Sequence, residues 1–420
     1  MSEVTRSDLV SMVRERSDEL LSLVSQLIRI PSENPTGSQR EVVDFAKAYL
    51  ADMGARPQEF DHNPVFPILV GQIGDDPEGY NMVVNGHLDV VPAGDLDQWD
   101  FDPFCGDVVA GKIRGRGTSD MKSGVACALF AMRVLKESGA RIPGLVRIHL
   151  VSDEESSSKG TMWLVENGFA KGAGGCLVAE PTGRDNIEIG QRGGLKLTVV
   201  STGASAHGSL AGIKGDNAIV KLSKVLDKFD RLNAIEGHYA PEQLHALESS
   251  RRLAAEALGL ERGGDVINHV SANVGTISGG TRINMVPDRC EANVDIRLPL
   301  NVSREELMAA LDGILEETGV QGVRYEYFWG AEPNATDEYD PLVQLFKKNA
   351  EEVWGSEVVP AYQWATSDAR LYRKEGIPTI QFGPCNLPCI HSYNEDVDVE
   401  DVVNSCCIYV ASMCDLLGIG

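Results

Sequence analysis

The chain has 420 residues, too long for one ordinary hydrophobic core, so its length predicts two domains. Hydrophobic residues make up 43%, and no apolar run is long and unbroken enough to span a bilayer, which suits a soluble globular protein. The net charge of −24 repels nucleic acid and anionic membrane, so neither is an expected partner, although a small basic pocket can still sit inside so acidic a protein. The nine cysteines are odd in number and irregularly spaced, with no Cys-x-x-Cys, and read as thiols of a reducing compartment. The N-terminus is polar (Ser2, Glu3, Arg6, Asp8) and lacks the apolar centre of a signal peptide. The expected location is cytoplasmic.

In chain order, residues 7–30 carry Leu9, Val13, Leu20, Leu21, Val24, Leu27 and Ile28 at helical spacing. A turn-rich break at 31–37 precedes a second helix at 41–53, which Gly54 ends. Residues 65–73 and 80–84 read as strands, 94–117 as a loop and hairpin, and 122–138 as a long apolar helix. A strand at 145–151 runs into Asp153-Glu154-Glu155, a helix covers 160–167, and a short strand at 175–179 ends at Glu180-Pro181. Strands alternating with helices predict an α/β domain, a largely parallel sheet covered on both faces.

The pattern changes near Gly193. Strands at 195–201, 270–276, 289–297 and 323–329 and helices at 216–229 and 304–317 give the order β-α-β-β-α-β, a ferredoxin-like α+β unit. Residues 237–264 read as a helical insertion in it, with His238 and His245 read as surface residues. After Pro333 a helix at 341–353 and a strand at 379–382 resume the first pattern. The expected division is therefore a larger domain of residues 1–191 and 333–420, with residues 192–332 inserted.

In a parallel sheet, ligands gather at the carboxyl ends of the strands. His87 and Asp89 close the run Asn85-Gly86-His87-Leu88-Asp89, two apart and so on one face. A carboxylate there can fix the imidazole tautomer and turn it toward a metal. Asp120, Glu154, Glu155, Glu180 and His391 also fall at strand or loop ends. Two imidazoles with several carboxylates suit zinc, cobalt or manganese better than calcium or an iron–sulfur cluster. One carboxylate can bridge two ions, and another that binds none can move a proton. Taken singly these residues have plain structural readings: Asp120 as a helix N-cap, Glu154-Glu155 as a solvated loop, Glu180 as a turn residue, His391 as a surface histidine, His207 as a residue that follows a strand.

Five segments occur in order: Gly86-His87-Leu88-Asp89-Val90-Val91-Pro92, Gly115-Arg116-Gly117-Thr118-Ser119-Asp120-Met121-Lys122, Asp153-Glu154-Glu155, Ala179-Glu180-Pro181-Thr182 and Ala206-His207-Gly208-Ser209. The tail adds Thr366-Ser367-Asp368-Ala369-Arg370, Gly383-Pro384 and His391-Ser392-Tyr393-Asn394-Glu395. Together they resemble the M20 metallopeptidase and amidohydrolase family, which includes succinyl-diaminopimelate desuccinylase, acetylornithine deacetylase, aminoacylases and glutamate carboxypeptidase. The resemblance covers essentially the whole chain. It implies that His87 and Glu180 bind one divalent ion, that Glu155 and His391 bind a second, and that Asp120 bridges them across a cis Asp120–Met121 peptide. Zinc is the first expectation for both ions, with cobalt or manganese possible in its place. Glu154 becomes the general base and Asp89 the residue that orients His87.

By the same resemblance the inserted unit is a lid and dimerisation domain. Its His207 reaches the carbonyl oxygen of a substrate held by the partner of a homodimer, and Asn284 is a further carbonyl- or carboxylate-binding position. Arg297 and Arg370 resemble residues that grip a substrate carboxylate, a task suited to a guanidinium fork, while their plain reading is a salt bridge. The expected activity is metal-dependent hydrolysis of the amide bond of a small N-acylated amino acid. The alternatives are a dipeptidase or carboxypeptidase, a hydrolase of an unusual C–N bond such as a formamide or aromatic amine, and, last, a non-catalytic binding protein. One departure bears on the substrate: many relatives have a Gly-rich turn where this chain has Ser156-Ser157-Ser158-Lys159.

Overall fold

The computed structural model describes residues 4–60 and 63–420, so Ser2 and Glu3 of the polar N-terminus lie outside the described residues. Two compact units divide the chain: one of residues up to Ile189 with Thr336–Ala361 and Ser367–Gly420, and one of Gly190–Ala335 with Tyr362–Thr366. Sequence spacing alone does not reveal the short return of Tyr362–Thr366 to the second unit.

In the first unit, strands Gly144–Val151, Tyr80–His87, Gly175–Val178 and Thr379–Gln381 lie side by side and all parallel. Ile68–Ile73 and Gln58–Phe60 extend one margin and Asn186–Gln191 the other, all antiparallel. The parallel centre follows from the strand–helix alternation, since each return crosses through a helix. At one margin Gln58–Phe60 and Ile68–Ile73 are consecutive strands with no helix between them, which allows their antiparallel pairing.

The helix Lys122–Glu137 is buried along almost its whole length and packs beside the C-terminal helix Val399–Leu417. Two glycines let it sit tight on the sheet. A Cβ on Gly86 would meet Val125 at 2.7 Å, and one on Gly124 would stand 2.0 Å from the Ala179 carbonyl. This close approach brings the residues just before the helix to the ends of the strands that carry His87 and precede Glu180.

The apolar spacing over residues 7–30 forms two helices, Arg6–Glu15 and Ser17–Ile28. Arg16 leaves helical geometry between them (φ −106°, ψ 23°), and its guanidinium pairs with Glu19 in the first turn of the second helix.

In the second unit, four antiparallel strands lie in the order Ser271–Gly279, Arg289–Leu298, Gly193–Thr202, Val323–Ala331. With helices Ala218–Leu226 and Arg304–Thr318 this is the ferredoxin-like order. Arg289–Leu298 alternates buried and more exposed residues, as a sheet with one covered face requires. Leu195, Leu197, Leu222, Val225, Leu307 and Leu311 form the centre of its core. Residues 237–264 contain the helix Leu244–Leu258. Among the described residues no helix is long and apolar enough to cross a membrane.

Candidate metal centre

Parallel strands deliver their carboxyl ends to one edge, and that edge holds the polar residues. His87 ends Tyr80–His87; Glu180 lies two residues beyond Gly175–Val178; Glu154 and Glu155 follow Gly144–Val151. Asp120 precedes the helix Lys122–Glu137 through a cis Asp120–Met121 peptide, and His391 sits in the loop before Asp396–Asp398.

Asp120 stands at the centre. Its Oδ1 lies 3.1 Å from His87 Nε2, and its Oδ2 lies 3.2 Å from His391 Nε2. His87 Nε2 is also 3.9 Å from Glu180 Oε1, and His391 Nε2 is 3.1 Å from Glu155 Oε1. One potential ligand atom from each of His87, Asp120 and Glu180 falls within 4.8 Å of the others, and so does one from each of Asp120, Glu155 and His391. Two mixed nitrogen–oxygen sets that share one carboxylate fit a pair of divalent cations.

The electrostatics agree with that fit. Burial and the nearby Glu180 push the Glu154 carboxyl well above its ordinary range. Burial and Asp120 do the same to Glu180. Burial alone would raise Asp120 too, but hydrogen bonds with His391 and His87 outweigh it and hold Asp120 below the usual range. Hydrogen bonds with Asp120 and Glu155 lift His391 to about 10. So many carboxylates in so little solvent call for positive charge, which bound cations supply.

Asp89 does more than the sequence predicts. His87 Nδ1 lies 2.9 Å from the Asp89 backbone carbonyl and 3.6 Å from its carboxylate, so the carbonyl is the nearer orienting partner. A proton on Nδ1 leaves Nε2 as the electron-pair donor that faces Asp120. The carboxylate itself accepts the backbone N–H of Glu154 at 3.3 Å, the N–H of Glu155 at 3.2 Å and Asn34 Nδ2 at 2.8 Å. It therefore fastens the loop that carries both glutamates. Burial pushes its carboxyl up to about 6.

Several supporting residues have no role assigned from the sequence. Glu395 is fully buried, pairs with Arg116 at 2.5 Å and accepts the N–H groups of Gly117, Ser119 and Asp120. It ties the His391 loop to the turn that presents Asp120. Asp153 accepts the N–H groups of Lys159 and Gly160 and the Ser157 hydroxyl, while Asn34 Nδ2 donates to the Ser156 hydroxyl. Ser156 and Ser157 thus fold onto the protein's own polar groups. Glu395 and Asp153 stand inside the sequence motifs, but their partners are distant in sequence or are backbone groups, which spacing does not show.

Arg370 is buried in the first unit and donates to the Ser367 carbonyl at 2.6 Å. In the second unit, His207 pairs across a two-residue ladder with Met285, and the Gly208 N–H donates to the Asn284 carbonyl at 2.8 Å. His207 and Asn284 are thereby neighbours, both exposed. Arg297 does not join them. Its register opposite Gly194 puts it at the far end of its strand from the residue that faces Thr202, and its guanidinium pairs with Asp295 at 3.0 Å.

Comparison with known proteins accords with this geometry. The chain is 24% identical over 387 residues to "Probable succinyl-diaminopimelate desuccinylase" of Staphylococcus aureus (strain N315), covering 91% of this chain and 93% of that protein. It is 25% identical over 429 residues to N-formyl-4-amino-5-aminomethyl-2-methylpyrimidine deformylase of Halalkalibacterium halodurans, covering 94% of each. Its fold resembles that of the M20 family metallo-carboxypeptidase Sso-CP2 from Sulfolobus solfataricus, with a TM-score of 0.77, 20% identity, and 96% and 99% of the two chains covered. Residues 83–415 match the model of peptidase family M20/M25/M40, and the chain belongs to that family of hydrolases of C–N amide bonds.

Proposed function

We propose that the protein is a two-metal amidohydrolase that cleaves the amide bond of a small N-acylated amino acid or a related compound. The observation that carries this reading is the Asp120 carboxylate, with one oxygen toward His87 and the other toward His391. In this reading His87 and Glu180 hold one ion, Glu155 and His391 hold the other, and Asp120 serves both. Zinc is the first choice, and cobalt and manganese accept the same donors.

Such ions supply a water that is acidic near neutral pH and positive charge for a developing oxyanion. Glu154, which belongs to neither ligand set, takes the proton of the attacking water on its carboxylate and returns it to the leaving nitrogen. His207 and Asn284 donate hydrogen bonds to the reacting carbonyl oxygen. Arg370 and Arg297 hold a substrate carboxylate, with Arg297 exchanging its Asp295 partner for the ligand. Asp89 keeps Glu154 and Glu155 in place through their backbone.

We read the active form as a homodimer. The strand Ser271–Gly279 closes one side of its sheet and exposes Val274 and Ile277, and the neighbouring helix Ala218–Leu226 exposes Ile219 and Val220. An apolar strand at a sheet edge supports pairing with a second copy, which also suits an exposed His207 that serves the partner's substrate. All nine cysteines are free thiols, which supports the expected cytoplasmic location.

The deformylase among the relatives favours a second reading, hydrolysis of a formamide or another unusual C–N bond. The discriminating experiment is hydrolysis by metal-loaded protein of N-acetyl, N-succinyl, N-formyl and long-chain N-acyl amino acids together with dipeptides. Cleavage of acyl amino acids supports the first reading. Cleavage of formyl compounds alone supports the second, and cleavage of dipeptides alone moves the protein to the peptidase branch.

A further inference from the structure

Thr161 is fully buried in the helix Lys159–Glu166, which follows the Glu154–Glu155 loop. Its hydroxyl donates to Asp368 Oδ2 at 2.5 Å and accepts from Asn85 Nδ2 at 3.2 Å. Asn85 and Asp368 are each 1% exposed. The three residues come from three different segments of the site. Asn85 lies two positions before His87 on one strand and so shares its face, and its carbonyl accepts the N–H of Ala179, next to Glu180. Asp368 opens the turn that leads to Arg370. Thr161 is joined to the glutamate loop through Asp153, which holds the N–H groups of Lys159 and Gly160.

A threonine hydroxyl has one proton to give, and here it goes to a carboxylate while an amide N–H approaches the oxygen. The Thr161 hydroxyl reaches Oδ2 of this buried carboxylate within bonding distance, and Ser158 also supports its charged form. Neither a hydroxyl nor a carboxylate is needed to fill this space, and each is costly to bury without its partner. We propose that Thr161 and Asp368 are positioning residues, a polar joint that sets the Glu154–Glu155 loop in register with the His87 strand and the Arg370 turn. The proposal rests on the roles given above to Glu154 and Glu155. In this proposal the joint acts through the carboxylates it places rather than on the metals or the substrate.

Thr161→Val keeps the size of the side chain and removes both hydrogen bonds. Thr161→Ser keeps the hydroxyl and removes a methyl group. The experiment compares these variants with wild type as metal-loaded protein, reading kcat, KM, bound metal per chain and backbone hydrogen exchange. The expected result for T161V is a kcat lower by about 10–100-fold, the loss usual for groups that orient metal-site residues, with KM little changed and the metal complement kept. Exchange should quicken over residues 153–166 and stay unchanged in the strand Gly193–Thr202, and T161S should restore both kcat and exchange.

Wild-type kcat and exchange in T161V would overturn the proposal. So would exchange quickened throughout both units, the mark of a merely structural residue, or a T161S variant that fails to recover. If T161V does not fold, Asn85→Ala removes one arm of the joint, and the same local signature is expected at smaller size; its absence overturns the proposal. If wild type turns over none of the amides, the amidohydrolase reading fails, and the exchange pattern still decides whether the joint exists.

Discussion

The buried carboxylate of Asp89 accepts the backbone N–H of Glu154 at 3.3 Å, and its second oxygen accepts that of Glu155 at 3.2 Å. An asparagine in its place keeps one acceptor oxygen and turns an NH2 group toward one of the two N–H donors. Asp89→Asn should therefore lower kcat by about 10–100-fold while His87, Asp120, Glu155, Glu180 and His391 continue to bind metal. Steady-state kinetics beside metal analysis checks this. A variant that loses its metal and its activity together would show that Asp89 acts on the ligands rather than on the loop.

The pair Arg116–Glu395 is almost fully buried, with side chains 3% and 1% exposed. Arg116→Ala leaves the Glu395 carboxylate without its counter-charge, which should cost about 3–5 kcal/mol of stability. The turn that presents Asp120 hangs on the same carboxylate, so metal affinity should fall as well. Denaturant unfolding of metal-loaded protein measures the first effect and a metal titration the second. A loss of stability below about 1 kcal/mol would contradict the assignment.

Metal removal should destabilise the fold by mass action. A cation that binds only the folded chain adds about 2.7 kcal/mol at one hundred times its dissociation constant. Chelation should thus lower Tm, and added zinc should restore it. Asp120→Asn weakens both ligand sets at once because both use its oxygens, and it should abolish most of this shift. Calorimetry with and without chelator checks it; a Tm that ignores metal in wild type would count against the centre.

His149 gives a pH dependence that does not involve the metals. Its Nδ1 lies 2.9 Å from the Tyr372 hydroxyl, its Nε2 has no partner among the described residues, and burial pushes its pKa down to about 3. Above about pH 6.5 the ring is neutral both folded and unfolded, and its contribution to stability is fully present. Between there and about pH 3 the unfolded chain takes up a proton that the folded chain refuses, so stability falls with acid by up to about 1.4 kcal/mol per pH unit. The advantage of wild type over His149→Gln should shrink by roughly 2 kcal/mol from pH 7 to pH 5, measured by urea unfolding. Parallel stability curves for the two proteins would contradict it.

Much of this was legible in the sequence because periodicity and local order carry it. The alternation of strands and helices around 80–180 predicts the parallel centre, and the β-α-β-β-α-β order after Gly193 predicts the smaller sheet. That His87, Asp120, Glu155, Glu180 and His391 draw together was expected from their place at strand and loop ends and from the family resemblance, and their potential ligand atoms do cluster. The long-range polar contacts were hidden. Nothing in the spacing says that Glu395 accepts the Asp120 N–H, 275 positions away, or that Thr161 meets Asp368, 207 positions away. The pairing of Arg297 with Asp295 is local and was open to a salt-bridge reading, yet only the register shows that Arg297 lies opposite Gly194, at the other end of its strand from Arg289 opposite Thr202.

The most direct test of the account is Glu154→Gln against wild type, each with bound metal counted, on the best amide substrate of the panel. The account predicts that the variant binds the same number of ions as wild type and loses about 10²–10⁴-fold in kcat, the share of a general base. Equal turnover in the two proteins would contradict the role given to Glu154, and no turnover of any amide by metal-loaded wild type would contradict the amidohydrolase reading itself.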